Sequence, residues 1–79
     1  MRARLTVTLK SGVLDPQGKA IEGALAALGF AGVNGVRQGK IFDIDLDEAD
    51  PAKAQATLRE MGEKLLANTV IEDYRVELT

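Results

Sequence analysis

Few of the side chains that ordinarily do chemistry occur in this chain. It has no Cys and no His, and Ser11 is its only serine. A serine nucleophile needs a base to take its proton. Lys10 adjoins Ser11, but neighbours on a strand point to opposite faces, so Ser11 reads as a loop residue that helps the chain turn. Acids are plentiful. Asp43, Asp45, Asp47, Glu48 and Asp50 start like a calcium loop, with acids at alternate positions. Glu48, however, stands where that loop needs Gly, and the residues between are strand-like apolars. The expectation is a solvated strand face, with no metal and no cofactor on this chain. Gly35, Gly39 and Lys40 lack P-loop spacing, and no helix starts after Lys40, so they read as a hairpin turn.

One stretch asks for more than a connection: Lys10, Ser11, Gly12, Val13, Leu14, Asp15, Pro16, Gln17, Gly18. A strand-to-helix link with a good cap accounts for Gly12, Asp15 and Pro16. It does not account for Val13 and Leu14, two apolar residues in a loop. Nor does it account for Gly18 in a first helical turn, where the missing side chain permits close backbone approach. Contact with another protein is the competing reading. A second apolar segment, Val70 and Ile71 leading into Tyr74 and Val76, either plugs one end of the core or belongs to a self-association patch.

The elements that must carry these residues follow from periodicity. Over residues 2–10, Leu5, Val7 and Leu9 alternate with Arg4, Thr6, Thr8 and Lys10, a strand with one buried face. Asp15-Pro16 opens a helix in which Ile21, Ala24, Leu25 and Leu28 recur at helical spacing, and Gly29 closes it. Residues 33–38 read as a weaker strand, with a turn at Gln38-Gly39. In residues 41–47, Phe42, Ile44 and Leu46 face inward and Asp43, Asp45 and Asp47 outward. Asp50-Pro51 opens a second helix with Ala54, Leu58, Met61 and Leu65 as its apolar stripe and an end near Asn68. Residues 74–78 alternate again. The order β-α-β-β-α-β predicts one α+β domain over residues 1–79, ferredoxin-like, with two helices on one face of an antiparallel sheet. Residues 1–40 carry six basic and two acidic groups, and residues 41–79 carry four basic and ten acidic. In that layout the first strand neighbours strand 41–47, which places Arg2, Arg4 and Lys10 near Asp43, Asp45 and Asp47.

Size and composition narrow the classes. A chain of 79 residues buries only about 60–65% of its surface. It has no disulfide or zinc staple to add, so a partner or a second copy is expected. Three dispersed aromatics, Phe30, Phe42 and Tyr74, with an acidic pI of about 5.0, argue against nucleic acid. No apolar run reaches membrane length and no signal peptide opens the chain, so a cytoplasmic protein is expected.

Several runs together resemble a known family. Val7-Thr8-Leu9-Lys10 leads into Gly12-Val13-Leu14-Asp15-Pro16-Gln17-Gly18. Ala24-Leu25 and Leu28-Gly29-Phe30 follow, and Val33 to Lys40 reads V-x-x-V-R-x-G-K. Lys64-Leu65-Leu66-Ala67-Asn68 then runs into Val70-Ile71-Glu72-Asp73-Tyr74. The chain resembles the PurS family over its whole length, the small subunit of multi-subunit phosphoribosylformylglycinamidine synthase. Thr69 departs from the family, which usually has Pro there. The resemblance implies a non-catalytic assembly subunit in an ATP- and glutamine-dependent C–N ligase of purine synthesis. A PurQ-type glutaminase would release ammonia, and a PurL-type synthetase would consume it with ATP and Mg²⁺. The subunit itself would form homo-dimers or larger oligomers. The Lys10–Gly18 stretch with Arg37, Gly39 and Lys40 would be its partner contacts. The alternative from another class is a small-molecule-binding regulatory domain of ferredoxin-like build.

Overall fold

The computed structural model describes all 79 residues. The alternating N-terminal stretch forms β1 (Arg2–Leu9) and the two Asp-Pro signals open α1 (Pro16–Ala27) and α2 (Pro51–Met61). The clearest alternation forms β2 (Gly39–Asp45), and the C-terminal one forms β3 (Glu72–Leu78). The sheet is antiparallel in the order β2-β1-β3. Its register sets Leu5 opposite Phe42 on one side and Val76 on the other, with Val7 opposite Tyr74. Side chains alternate across a strand, so this register gathers Ala3, Leu5, Val7, Phe42, Ile44, Tyr74 and Val76 on one face. Leu5 and Val7 are fully buried there, with Ala67 over them. α2 covers the β3 side through Ala54 and Leu58, both fully buried.

The opposite face carries the charge pattern anticipated from the sequence. Arg2 stands opposite Asp45, and Arg4 stands opposite Asp43 with a 2.9 Å ion pair. Lys10 is the exception. It pairs with Asp73 at 2.7 Å, because β1 has ended before Lys10 and the chain entering β3 is its nearest acidic neighbour.

Three features depart from the sequence reading. Residues 33–38 form no strand, and Gln38-Gly39 makes no turn. Between Val33 and the start of β2 the chain has no regular structure, turn or bend, and neither Gly35 nor Gly39 takes a positive φ. The α+β ferredoxin-like layout therefore stands with three strands rather than four. Second, α1 does not pack along the sheet or along α2 as α2 packs on β3. Gly18 is its one buried residue. Third, Leu65 does not continue the α2 stripe. A π-helical turn, Gly62–Leu66, follows α2 and closes with Ala67 N–H bonded to the Gly62 carbonyl at 3.0 Å. One extra residue in a turn rotates everything after it. Gly62 and Ala67 face the core and Leu65 is 83% exposed.

The outcome is an elongated molecule. Its radius of gyration is 15.9 Å and its extents are 48 × 25 × 15 Å, where about 12 Å would be the radius of a compact chain of this length.

Candidate functional site

The Lys10–Gly18 stretch is a framework built around one carboxylate. Asp15 is 5% exposed. As N-cap of α1 its Oδ1 accepts the Gly18 N–H at 2.8 Å, and its Oδ2 accepts the Gln38 N–H at 2.7 Å. One side chain thus closes a helix end and fastens it to the segment entering β2. The backbone N–H of Gln38 and then that of Gly18 hold the carboxyl below the usual range, since both donate to its charged form. Gly18 is where the two backbones meet: a Cβ there would run into the carbonyl oxygen of Val36. Gly39 has the same role one strand over, where a Cβ would lie 2.6 Å from the Val7 carbonyl oxygen.

Lys10 ties the start of the loop. Its N–H donates to Ile71 at 2.9 Å, and its carbonyl accepts from Val13 N–H at 2.9 Å and from Arg37 Nη2 at 2.9 Å. Lys40 reaches Glu72 at 3.8 Å. Lys10, Asp15, Gly18, Arg37, Gly39 and Lys40 are therefore brought together. The framework leaves Gly12, Leu14, Pro16 and Gln17 facing out and Val13 half-buried, with Leu14 69% exposed. Asp15 and Gly18 are interior, so their part is to hold Val13 and Leu14 in place. Between the loop and the sheet lies a small open cavity of about 150 Å³ lined by Val7, Leu9, Asp15, Gln17, Gln38 and Glu72 among others.

The C-terminal segment divides in two. Val70 is 82% exposed and Ile71 is also exposed, at the turn into β3. Tyr74 and Val76 instead pack against the Leu5–Val7 core. The Tyr74 hydroxyl donates to Glu63 Oε1 at 3.0 Å. Burial, and then this bond, push its pKa up. The turn itself is held without a proline. Asn68 Oδ1 accepts from Val70 N–H at 3.2 Å, and Glu72 Oε1 accepts from Asn68 N–H at 2.7 Å. Periodicity alone did not single out Glu72 or Asn68. The signal was the sequence L-A-N-x-x-x-E, in which the side-chain amide and the acid four residues on both bond locally.

The acidic run is dispersed into structural duties. Asp43 pairs with Arg4, Asp50 caps α2 by accepting from Ala52 N–H at 2.9 Å, and Glu48 accepts from Ala49 N–H at 3.0 Å. No three acids stand close enough to share a metal ion. No helix is long and apolar enough to cross a membrane. The arrangement leaves the exposed Leu14 and the half-buried Val13 on a loop fastened by Asp15 and Lys10.

Comparison with known proteins agrees on one family. The family model for PurS, phosphoribosylformylglycinamidine (FGAM) synthase, matches residues 2–79. The phosphoribosylformylglycinamidine synthase subunit PurS of Synechocystis sp. is 47% identical over 76 residues, covering 96% of this chain and 76% of that protein. The crystal structure of PurS from Methanocaldococcus jannaschii, a subunit of formylglycinamide ribonucleotide amidotransferase, superposes with a TM-score of 0.87 at 42% identity. It covers 96% of this chain and 92% of that one. A chain in the PurLQS structure from Thermotoga maritima gives a TM-score of 0.88 at 31% identity, covering 96% and 93%.

Proposed function

The chain belongs to the PurS family of phosphoribosylformylglycinamidine synthase subunits, and on that premise we propose that it is the assembly subunit of such a complex, with no catalytic group of its own. It would hold a PurQ-type glutaminase and a PurL-type synthetase together, as a self-associated dimer or larger oligomer. ATP, Mg²⁺ and glutamine would be used by those partners, in the cytoplasm. The observation that carries this reading is the full-length match to PurS, including a chain from a PurLQS structure. The composition supports it. Without Cys or His, and with Ser11 alone in a turn, the chain lacks the usual nucleophile–base pairings.

The physical service is positioning. Ammonia released in one active site is diluted and protonated in bulk water. A scaffold that fixes the second site near the first keeps its effective concentration high. Val13 and Leu14, held out by the Asp15 latch, are the contact proposed for one of the larger subunits, with Gly12, Pro16 and Gln17 around them. Arg37 and Lys40 flank the base of the same loop.

The test is a reconstituted complex assayed with glutamine and, separately, with ammonia. Leu14 is exposed, so Leu14→Glu leaves the fold intact and places a charge in the proposed contact. The glutamine-dependent rate should fall by about tenfold or more while the ammonia-dependent rate persists. Full glutamine-dependent turnover by this variant would remove the loop from the interface. Co-purification with glutaminase and synthetase, with and without glutamine and ADP, checks the assembly role independently.

A further inference from the structure

Two apolar surfaces of this chain face each other's absence: one half of the sheet, and α1. We propose that Asp15 and Gly18 form a latch that holds α1 and residues 28–38 out as an arm, and that with the latch open the arm closes over its own sheet as a second covering helix and a fourth strand. This goes beyond the docking role and does not depend on it.

The first argument is the surface left bare. α2 covers the β3 side of the apolar face, and neither helix packs along β2 as α2 packs on β3. Phe42 and Ile44 stay only partly buried. On the arm, Ile21, Leu28, Phe30 and Val33 are exposed. The chain exposes 5621 Å², against about 4,600 Å² for a compact monomer of 8.4 kDa. The long axis of 48 Å is close to what β1 and α1 span when laid end to end, roughly 26 Å and 18 Å.

The second argument is length and direction. Gly39 stands opposite Thr8 and Asp45 opposite Arg2, so β2 begins where β1 ends. The Asp15–Gln38 bond puts the start of α1 at that same end. Folded back over the sheet, the 12 residues of α1 would run about 18 Å toward Asp45. Residues 28–32 would make the reversal, where Gly29 and Gly32 already have positive φ. Residues 33–38 would then return about 20 Å as a strand, antiparallel to β2 and joined to it by a turn at Gln38-Gly39. The result is the four-stranded β-α-β-β-α-β layout that the periodicity predicts.

The third argument is the lock. Asp15 is 5% exposed. Its Oδ1 caps α1 while its Oδ2 accepts the Gln38 N–H at 2.7 Å, and bonds to an ionised carboxylate are strong ones. A Cβ on Gly18 would run into the Val36 carbonyl oxygen, so the two backbones touch. A helix packed over a sheet is held off by the side chains of both, and its backbone cannot touch that of an edge strand. The Gly18–Val36 contact therefore belongs to the open arm alone. With Val36 and Gln38 both held, residues 38–40 cannot turn. The latch decides whether the arm's apolar surface is offered outward or kept within the chain.

The experiment uses the full chain. It has no cysteine, so introduced thiols take nitroxide labels without background. Ala27→Cys and Asp45→Cys, at exposed positions, mark the far ends of α1 and β2. Mixing with excess unlabelled chain makes dipolar broadening report distances within one chain. Closure brings the labels within about one helix diameter, roughly 10–12 Å. The parent should show almost no broadening. Asp15→Ser with Gly18→Ala opens the latch: serine still caps α1, but its shorter side chain cannot span to Gln38, and alanine drives Val36 away. An Asn-Gly pair inserted between Gln38 and Gly39 supplies the hairpin turn directly and leaves Asp15 and Gly18 in place. Each change should raise the closed fraction by about tenfold or more, with helical circular dichroism retained. Equal broadening in the parent and the latch variant overturns the latch. Folded variants with the parent's unbroadened spectrum overturn the closed form, and if the latch variant unfolds the insertion decides this alone. Broadening that disappears on mixing with unlabelled chain places the arm on a second copy and overturns closure within the chain.

Discussion

At the scale of single residues the molecule turns on Asp15. Its two carboxylate oxygens accept from Gly18 and Gln38 backbone N–H groups, and those bonds lower its pKa. A carboxyl lowered in the folded state adds stability that is present above the unfolded value of about 3.9. That stability is lost as pH falls through the folded value, because the unfolded chain binds the proton first. The expected outcome is a flatter dependence of unfolding free energy on pH, below about pH 4, in Asp15→Asn than in the parent, measured by urea melts at several pH values. Gly18 supplies the matching steric test. Gly18→Ala forces a Cβ against the Val36 carbonyl and should destabilise by about 1–3 kcal/mol, against the usual gain of an alanine in a helix.

At the scale of elements, the transition out of α2 shows how one turn redirects a face. Leu58 is fully buried and Leu65 is 83% exposed, although both fall on one stripe of a regular helix. The π turn begins at Gly62, where the Tyr74 ring lies against the backbone, with ring carbons 3.0 Å from where a Cβ would stand. Its hydroxyl is tied to Glu63. Leu58→Ala should therefore cost about 2–5 kcal/mol, while Leu65→Gln should stay within about 0.5 kcal/mol, both read from chemical denaturation. An equal loss at the two positions would show that α2 continues as a regular α-helix.

At the scale of the whole molecule, an elongated chain with few buried residues depends on what covers it. The self-association proposed above links folding to association, so the thermal midpoint should rise with protein concentration. A series of melts over a hundredfold range in concentration measures this, and an unchanged midpoint would remove the self-association. The charged outer face sets no such requirement. Its Arg4–Asp43 pair is exposed on both sides, and exposed pairs contribute little to stability.

The sequence alone determined everything that depends on neighbours along the chain. Alternation set β1, β2 and β3, the two Asp-Pro pairs set both helix starts, and Gly29, with φ of 94°, set where α1 stops. The family was legible too, because its motifs are contiguous runs. Tertiary structure decided what depends on distant atoms meeting. Gly18 reads as a poor helix residue until Val36 is seen against it, and Leu65 reads as core until the π turn from Gly62 rotates it outward. Residues 33–38 read as a strand, yet they form none in the folded chain. A strand, however, is completed by hydrogen bonds to a second segment, and no local pattern states which segment that is or which molecule supplies it.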